Sequence, residues 1–130
     1  MNYKYKILVA DIETNAIKNW QTLEGLETCH CISIIDVATK ELYEFNTMKD
    51  NIEDGLKMLQ EAEYVCGHNF IGFDAPALYK LFDIKLNKII DTYIMSKVMY
   101  PALEDYDRTK KFEFPFKGSW DRHKLAAWGI

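Results

Sequence analysis

Apolar positions along this chain recur with two periods, that of strands and that of helices. Tyr5-Lys6-Ile7-Leu8-Val9-Ala10 is an apolar run of strand length, and the polar stretch from Thr14 to Thr28 follows as a loop over its end. His30-Cys31-Ile32-Ser33-Ile34-Ile35-Asp36-Val37 reads as a buried strand. Thr39-Lys40 is a turn, and Glu41-Leu42-Tyr43-Glu44-Phe45 alternates polar and apolar as a half-exposed strand does, so the second and third strands form a hairpin. The period then changes. Beyond Asn51, residues Ile52, Leu56, Leu59 and Ala62 fall on one helical stripe, with Glu53 and Asp54 in the first turn where the helix dipole favours them. Tyr64-Val65-Cys66 is a short strand that stops at Gly67. A helix begins at Asp74 or a neighbour, tolerates Pro76 in its first turn, and turns Ala77, Leu78, Leu81 and Phe82 inward. Leu86 to Ile90 is a fifth strand, and Asp91-Thr92 caps a helix that Pro101 ends. Residues 102–118 are irregular and mix Arg108, Lys110, Lys111 and Lys117 with Tyr106, Phe112, Phe114 and Phe116. A last helix is expected from about Trp120 to Trp128, with Gly129 as its C-terminal cap.

Three antiparallel strands followed by α/β crossovers predict a mixed five-stranded sheet flanked by helices, the ribonuclease H-like α/β architecture. Composition changes this picture little: 130 residues suit a single domain, and 48% hydrophobic with 28% charged residues is an ordinary globular balance. The odd count of three cysteines argues for a reducing compartment, the cytoplasm. No apolar stretch is long enough to span a bilayer and no secretory signal is visible, so no membrane partner is expected. Net charge changes more: at −4, the chain is unsuited to bind DNA by wrapping phosphates, although metals could supply local positive charge for a nucleic-acid end.

The first strand delivers two carboxylates two residues apart, Asp11 and Glu13. Alternate strand residues share a face, so both project toward one point. Like charges held that close repel unless a cation lies between them, and Mg²⁺ prefers hard oxygen ligands. The plainer reading of the same spacing is a strand that ends in solvated charge.

A second cluster, Gly67-His68-Asn69-Phe70-Ile71-Gly72-Phe73-Asp74, sits just past a strand, where open α/β sheets place ligands. Asp74 at the head of a helix faces the carboxylates of the first strand across the sheet end. With these residues the chain resembles the 3′→5′ proofreading exonuclease domain of DnaQ-like (DEDD) enzymes, and among them the N-terminal exonuclease domain of family A DNA polymerases from short-tailed coliphages. The family's first motif, Asp-x-Glu after an apolar strand, appears as Asp11-Ile12-Glu13 and the match continues through Thr14-Asn15-Ala16. Its second motif appears as Asn69, Phe73 and Asp74. His30-Cys31, Asp91-Thr92 with Ser96, Ser119 and Ala127-Trp128-Gly129 agree in order along the chain.

The resemblance implies two Mg²⁺ or Mn²⁺ ions at a 3′-terminal phosphodiester, one activating water and the other stabilising the leaving oxygen. It makes Asp11, Glu13 and Asp74 the catalytic, metal-holding residues, with Asp11 bridging both ions. Thr14, Asn15, His68, Asn69 and Phe73 become substrate-binding residues. The substrate implied is the 3′ end of single-stranded or frayed DNA, and the compartment is the bacterial host cytoplasm if the chain is phage-encoded. The family's third motif, Tyr or His followed by Asp, has no counterpart within the 130 residues. Tyr100-Pro101-Ala102-Leu103-Glu104 has a similar spacing, but Pro101 argues against a helix through it, and the match is a coincidence. Three of four expected carboxylates are present. The expectation is therefore a single exonuclease domain truncated at its C-terminus. Three readings follow: a piece of a split polymerase completed by a second polypeptide, a shortened product of weak activity, or a fold retained as a structural or binding module.

The remaining candidates read as structure. A strand through Cys29-His30-Cys31 sends His30 to the face opposite both cysteines, which makes core, not a metal site. His68 touches a phosphate or fixes its loop by a hydrogen bond, and Asp91 is a helix cap. His123 is a surface residue, and Trp120 and Trp128 pack. The basic-aromatic segment contacts single-stranded DNA, covers the core, or meets another domain.

Overall fold

The fold is built outward from its first strand, β1 (Tyr5–Thr14), in a computed structural model that describes residues 2–103 and 105. Its alternation is strict from Leu8 to Glu13: Leu8, Ala10 and Ile12 are buried, while Val9, Asp11 and Glu13 face the other way. β2 (Cys29–Asp36) runs antiparallel to β1, and β3 (Leu42–Asn46) antiparallel to β2. Helix α1 (Ile52–Gln60) then carries the chain back, so that β4 (Ala62–Gly67) enters parallel to β1 on its free side. A π-helical turn (Phe70–Asp74), helix α2 (Ala75–Phe82), β5 (Lys88–Asp91) and helix α3 (Thr92–Met99) complete the order. The sheet is mixed and five-stranded, as the sequence reading predicts, in the order β3-β2-β1-β4-β5.

One face carries the core. Leu8, Ala10, Ile12, Ile32, Ile34 and Val65 from the strands meet Leu56 and Leu59 of α1, Phe70 of the π-helical turn, and Ala77 and Leu78 of α2. On the opposite face Val9, Ile35 and Leu42 are exposed. Because β1, β4 and β5 run parallel, their C-terminal ends share one rim of the sheet, the ligand-bearing end of α/β sheets.

Two differences from the sequence reading matter. β1 continues past its apolar run to Thr14, because β2 pairs with it out to Glu13 and Thr14; Asp11 and Glu13 are therefore within the strand, not beyond it. Five residues ahead of α2 form a π-helical turn that no periodicity signals. As expected, Pro101 ends α3: the helix stops at Met99, since Tyr100 precedes the proline and is pushed out of helical geometry (φ −132°, ψ 64°). The basic-aromatic residues Tyr106 to Lys117, His123, and the expected last helix with Trp120 and Trp128 lie outside the described residues.

Candidate carboxylate site at the sheet rim

Pairing of β1 with β4 runs only to Val9 opposite Cys66, and β4 ends at Gly67. The last five residues of β1 thus overhang their parallel neighbour, leaving backbone amides that need partners. Asp74 fills part of the gap: its carboxylate accepts the N–H of Ile12 and its own N–H. Only 6% of Asp74 is exposed. Burial, and then the negative charge of Asp11, push its carboxyl up to about 7, against the opposing pull of the Ile12 and Asp74 N–H groups. Asp91 adds a smaller repulsion. The structure therefore brings Asp74 against β1 within electrostatic reach of Asp11. Glu13 projects on Asp11's side of the strand and is exposed.

Cys29, paired with Thr14 at the start of β2, lies close to this rim. Burial raises its thiol to about 11, a hydrogen bond from the Cys31 backbone opposes that shift, and the charges of Cys31, Asp74 and Glu13 add to it. The thiol feels both carboxylates and stays protonated at neutral pH. His30 is exposed between buried Cys29 and half-buried Cys31, at the point where the pairing of β2 with β1 shifts register. Among the described residues no three His, Cys, Asp or Glu side chains stand close enough together to grip a metal ion. The donor set nevertheless suits a hard divalent cation in kind: carboxylates, one of them buried where its own charge is disfavoured.

The loop bearing Asp74 is set by Asp91. Its Oδ1 accepts the N–H groups of Asn69 (2.9 Å), Tyr93 (2.9 Å) and Ile94 (3.4 Å), and its Oδ2 accepts that of Ile71 (2.9 Å). One buried carboxylate thus caps α3, as expected, and also pins the start of the π-helical turn, which sequence alone did not suggest. Asn69 sits in the left-handed region (φ 54°), a conformation Asn tolerates, and its carbonyl accepts the N–H of Phe73. Gly67 ends β4 where space runs out: a Cβ there would lie 2.5 Å from Cδ2 of Phe70 and 3.0 Å from the carbonyl of Ala10. Gly67→Ala is expected to destabilise the chain by about 1–3 kcal/mol, since the Ala10 carbonyl is backbone and cannot yield. A urea midpoint equal to that of the parent would contradict this packing.

The expected substrate-binding residues fall into two groups. Phe73 and Asn69 stand on the turn beside Asp74. Thr14, Asn15 and His68 are engaged within the protein. Thr14 Oγ1 donates to the Asn15 carbonyl (3.0 Å), and His68 Nδ1 is 3.0 Å from Thr92 Oγ1. Asn15 closes the loop after β1: its Oδ1 accepts the N–H groups of Glu27 and Thr28 (both 2.9 Å), and its Nδ2 donates to the carbonyls of Gly25 (2.6 Å) and Ala16 (3.1 Å). Every hydrogen-bonding position of that amide is spent on the loop, so in this structure it acts as a clamp.

The loop so closed is a defined structure. Asn19 Oδ1 caps the turn at Gln21 and Thr22, Leu23 and Leu26 are buried, and Lys80 of α2 donates from Nζ to the Leu23 carbonyl at 2.7 Å. At its tip Trp20 meets Phe73, with ring centroids 5.0 Å apart and planes inclined by 59°. Sequence reasoning passed over Trp20; its only signal is an aromatic in an otherwise polar loop. On the open face of the sheet a cleft of about 280 Å³ has Val9, Asp11, Ile35, Cys66, His68 and Thr92 among its lining residues, so Asp11 is shared between cleft and rim. Among the described residues no helix is long and apolar enough to cross a membrane.

Known proteins extend this description. No family model matches the chain. Over 95% of its length it is 30% identical to the DNA-directed DNA polymerase of Escherichia phage T7 and, to the same extent, to that of Enterobacteria phage T3. The chain spans only 18% of the length of either relative. Its fold superposes on the family B DNA polymerase of the hyperthermophilic archaeon Pyrobaculum calidifontis with a TM-score of 0.50, covering 94% of this chain and 20% of that one at 15% identity. The chain is thus homologous to a segment of these phage DNA polymerases and has a ribonuclease H-like α/β fold.

Proposed function

We propose that the chain is the 3′→5′ exonuclease portion of a phage-type DNA polymerase and removes nucleotides from single-stranded or frayed DNA 3′ ends. The observation that carries the reading is the seat of Asp74, buried against the overhanging end of β1 beside Asp11. A buried carboxylate next to another is costly unless a cation compensates both. Asp11, Asp74 and Glu13, turning in from the exposed side, would hold divalent cations, Mg²⁺ or Mn²⁺. When bound, such ions supply Lewis acidity at a phosphodiester and lower the pKa of a water ligand. The chain's own part is to fix the carboxylates at the rim, to keep Cys29 neutral beneath them, and to present Asn69 and Phe73 to the terminal nucleotide. A fourth carboxylate and the polymerase domain would come from outside these 130 residues, in the same or a second polypeptide. The compartment that follows is the cytoplasm of a bacterial host.

A rival reading has its own support: the described carboxylates do not close into a three-ligand group. On that reading the chain is a catalytically impaired structural or nucleic-acid-binding subunit. A single assay separates the two. A 5′-labelled single-stranded oligodeoxynucleotide incubated with the chain and Mn²⁺ should shorten stepwise from its 3′ end, and a chelator should stop it. No shortening, together with no Mn²⁺-induced rise in thermal midpoint, would favour the rival.

A further inference from the structure

We propose that Trp20, backed by Phe73, is a stacking face for a nucleobase of the single strand whose 3′ end lies at the carboxylate rim; this rests on the exonuclease reading above. Trp20 is 68% exposed, an unusual position for the largest apolar side chain. It is held there, at the tip of a loop closed by Asn15 and Asn19 and tied to α2 through Lys80. Phe73 touches it at 5.0 Å and immediately precedes Asp74, so the aromatic pair stands next to a carboxylate of the site. Phe73 supports the indole and leaves most of its surface open.

The occupant follows from the exonuclease reading, and charge bears on how it is held. With a net charge of −4 the chain cannot draw a polyanion by phosphate neutralisation alone. An aromatic face attracts every base through its π surface, independently of sequence. A single-stranded segment offers such faces, whereas duplex hides them in its own stack.

The test is anisotropy of a 5′-fluorescein oligodeoxythymidine of 8 nucleotides, titrated with the 130-residue chain in chelator. Trp20→Ala should weaken binding by roughly 10-fold, the loss of one base–aromatic stack. Trp20→Phe should recover most of it, and thermal midpoints should match across the three proteins. In Mn²⁺ the Ala variant should show a raised KM with kcat nearly unchanged. Equal binding by parent and Trp20→Ala, with hydrolysis intact in both, overturns the stacking role and leaves the exonuclease reading standing. Loss of concentration-dependent self-association in Trp20→Ala, with oligonucleotide binding unaltered, overturns it in favour of a protein contact. A parent chain that neither binds nor shortens the oligonucleotide overturns both.

Discussion

Replacing Asp74 by Asn should make the metal-free chain more stable at pH 8 and, on the proposed exonuclease function, sharply slow hydrolysis of DNA ends. Both effects come from one carboxyl. In the folded chain Asp74 keeps its proton to about pH 7, against an ordinary value of 3.8. Between those values the folded state binds more protons than the unfolded state, so stability falls as pH rises through the window and is flat above it. Asn carries no charge and still offers a carbonyl to the Ile12 N–H, so its stability lacks that decline. The expected gain is small at pH 4 and on the order of 2–4 kcal/mol at pH 8. Urea unfolding in chelator at both pH values measures it, and curves for the two proteins that stay parallel with pH would refute the burial argument. Hydrolysis should move the other way. Asp74→Asn and Asp11→Ala should each lower the rate in Mn²⁺ by on the order of 100-fold or more, since each removes an anionic oxygen from the cation-holding set. Stability gained where function is lost is the pattern of a site kept strained for a ligand.

Asp91→Ala should be the most destabilising single substitution in this region. It leaves four backbone N–H groups, those of Asn69, Ile71, Tyr93 and Ile94, without the oxygens they now donate to. A lost charged cap costs about 1–2 kcal/mol, and orphaned donors in the turn add to it, for roughly 3 kcal/mol or more in all. The thermal midpoint should drop by on the order of 10 °C. Asp91→Asn should fall between the two: its remaining oxygen can serve Asn69 and Tyr93, while its Nδ2 would confront the N–H of Ile71. Hydrogen exchange should then quicken at Ile71 more than at Tyr93 in the Asn variant. Equal acceleration at both amides would show that the carboxylate does not divide its work as drawn.

These two residues also show how much of the molecule could be read from its letters. The strands and the helices were legible because Leu8-Ala10-Ile12 and Leu56-Leu59 repeat with clean periods that burial enforces. Asp11, Glu13 and Asp74 were legible as candidates because two of them share one strand face and the third heads a helix just past another strand end, in the order of a known motif pair. The seat of Asp74 on the Ile12 amide was not, since it depends on β4 ending before β1 does, a length difference that no local pattern encodes. The double duty of Asp91 was half legible: a cap is a local signal, whereas its hold on Asn69 and Ile71 spans about 20 residues. The clamp made by Asn15 was not legible for a related reason, because its partners at Gly25, Glu27 and Thr28 are fixed only by how the loop closes.

Lys80 gives the loop a mechanical consequence. Its ammonium group joins the Leu23 carbonyl to the helix that starts right after Asp74. Tryptophan, loop, helix and buried acid are therefore linked as one lever. A load on the indole would therefore pass through the loop to Phe73 and α2, the two elements that flank Asp74.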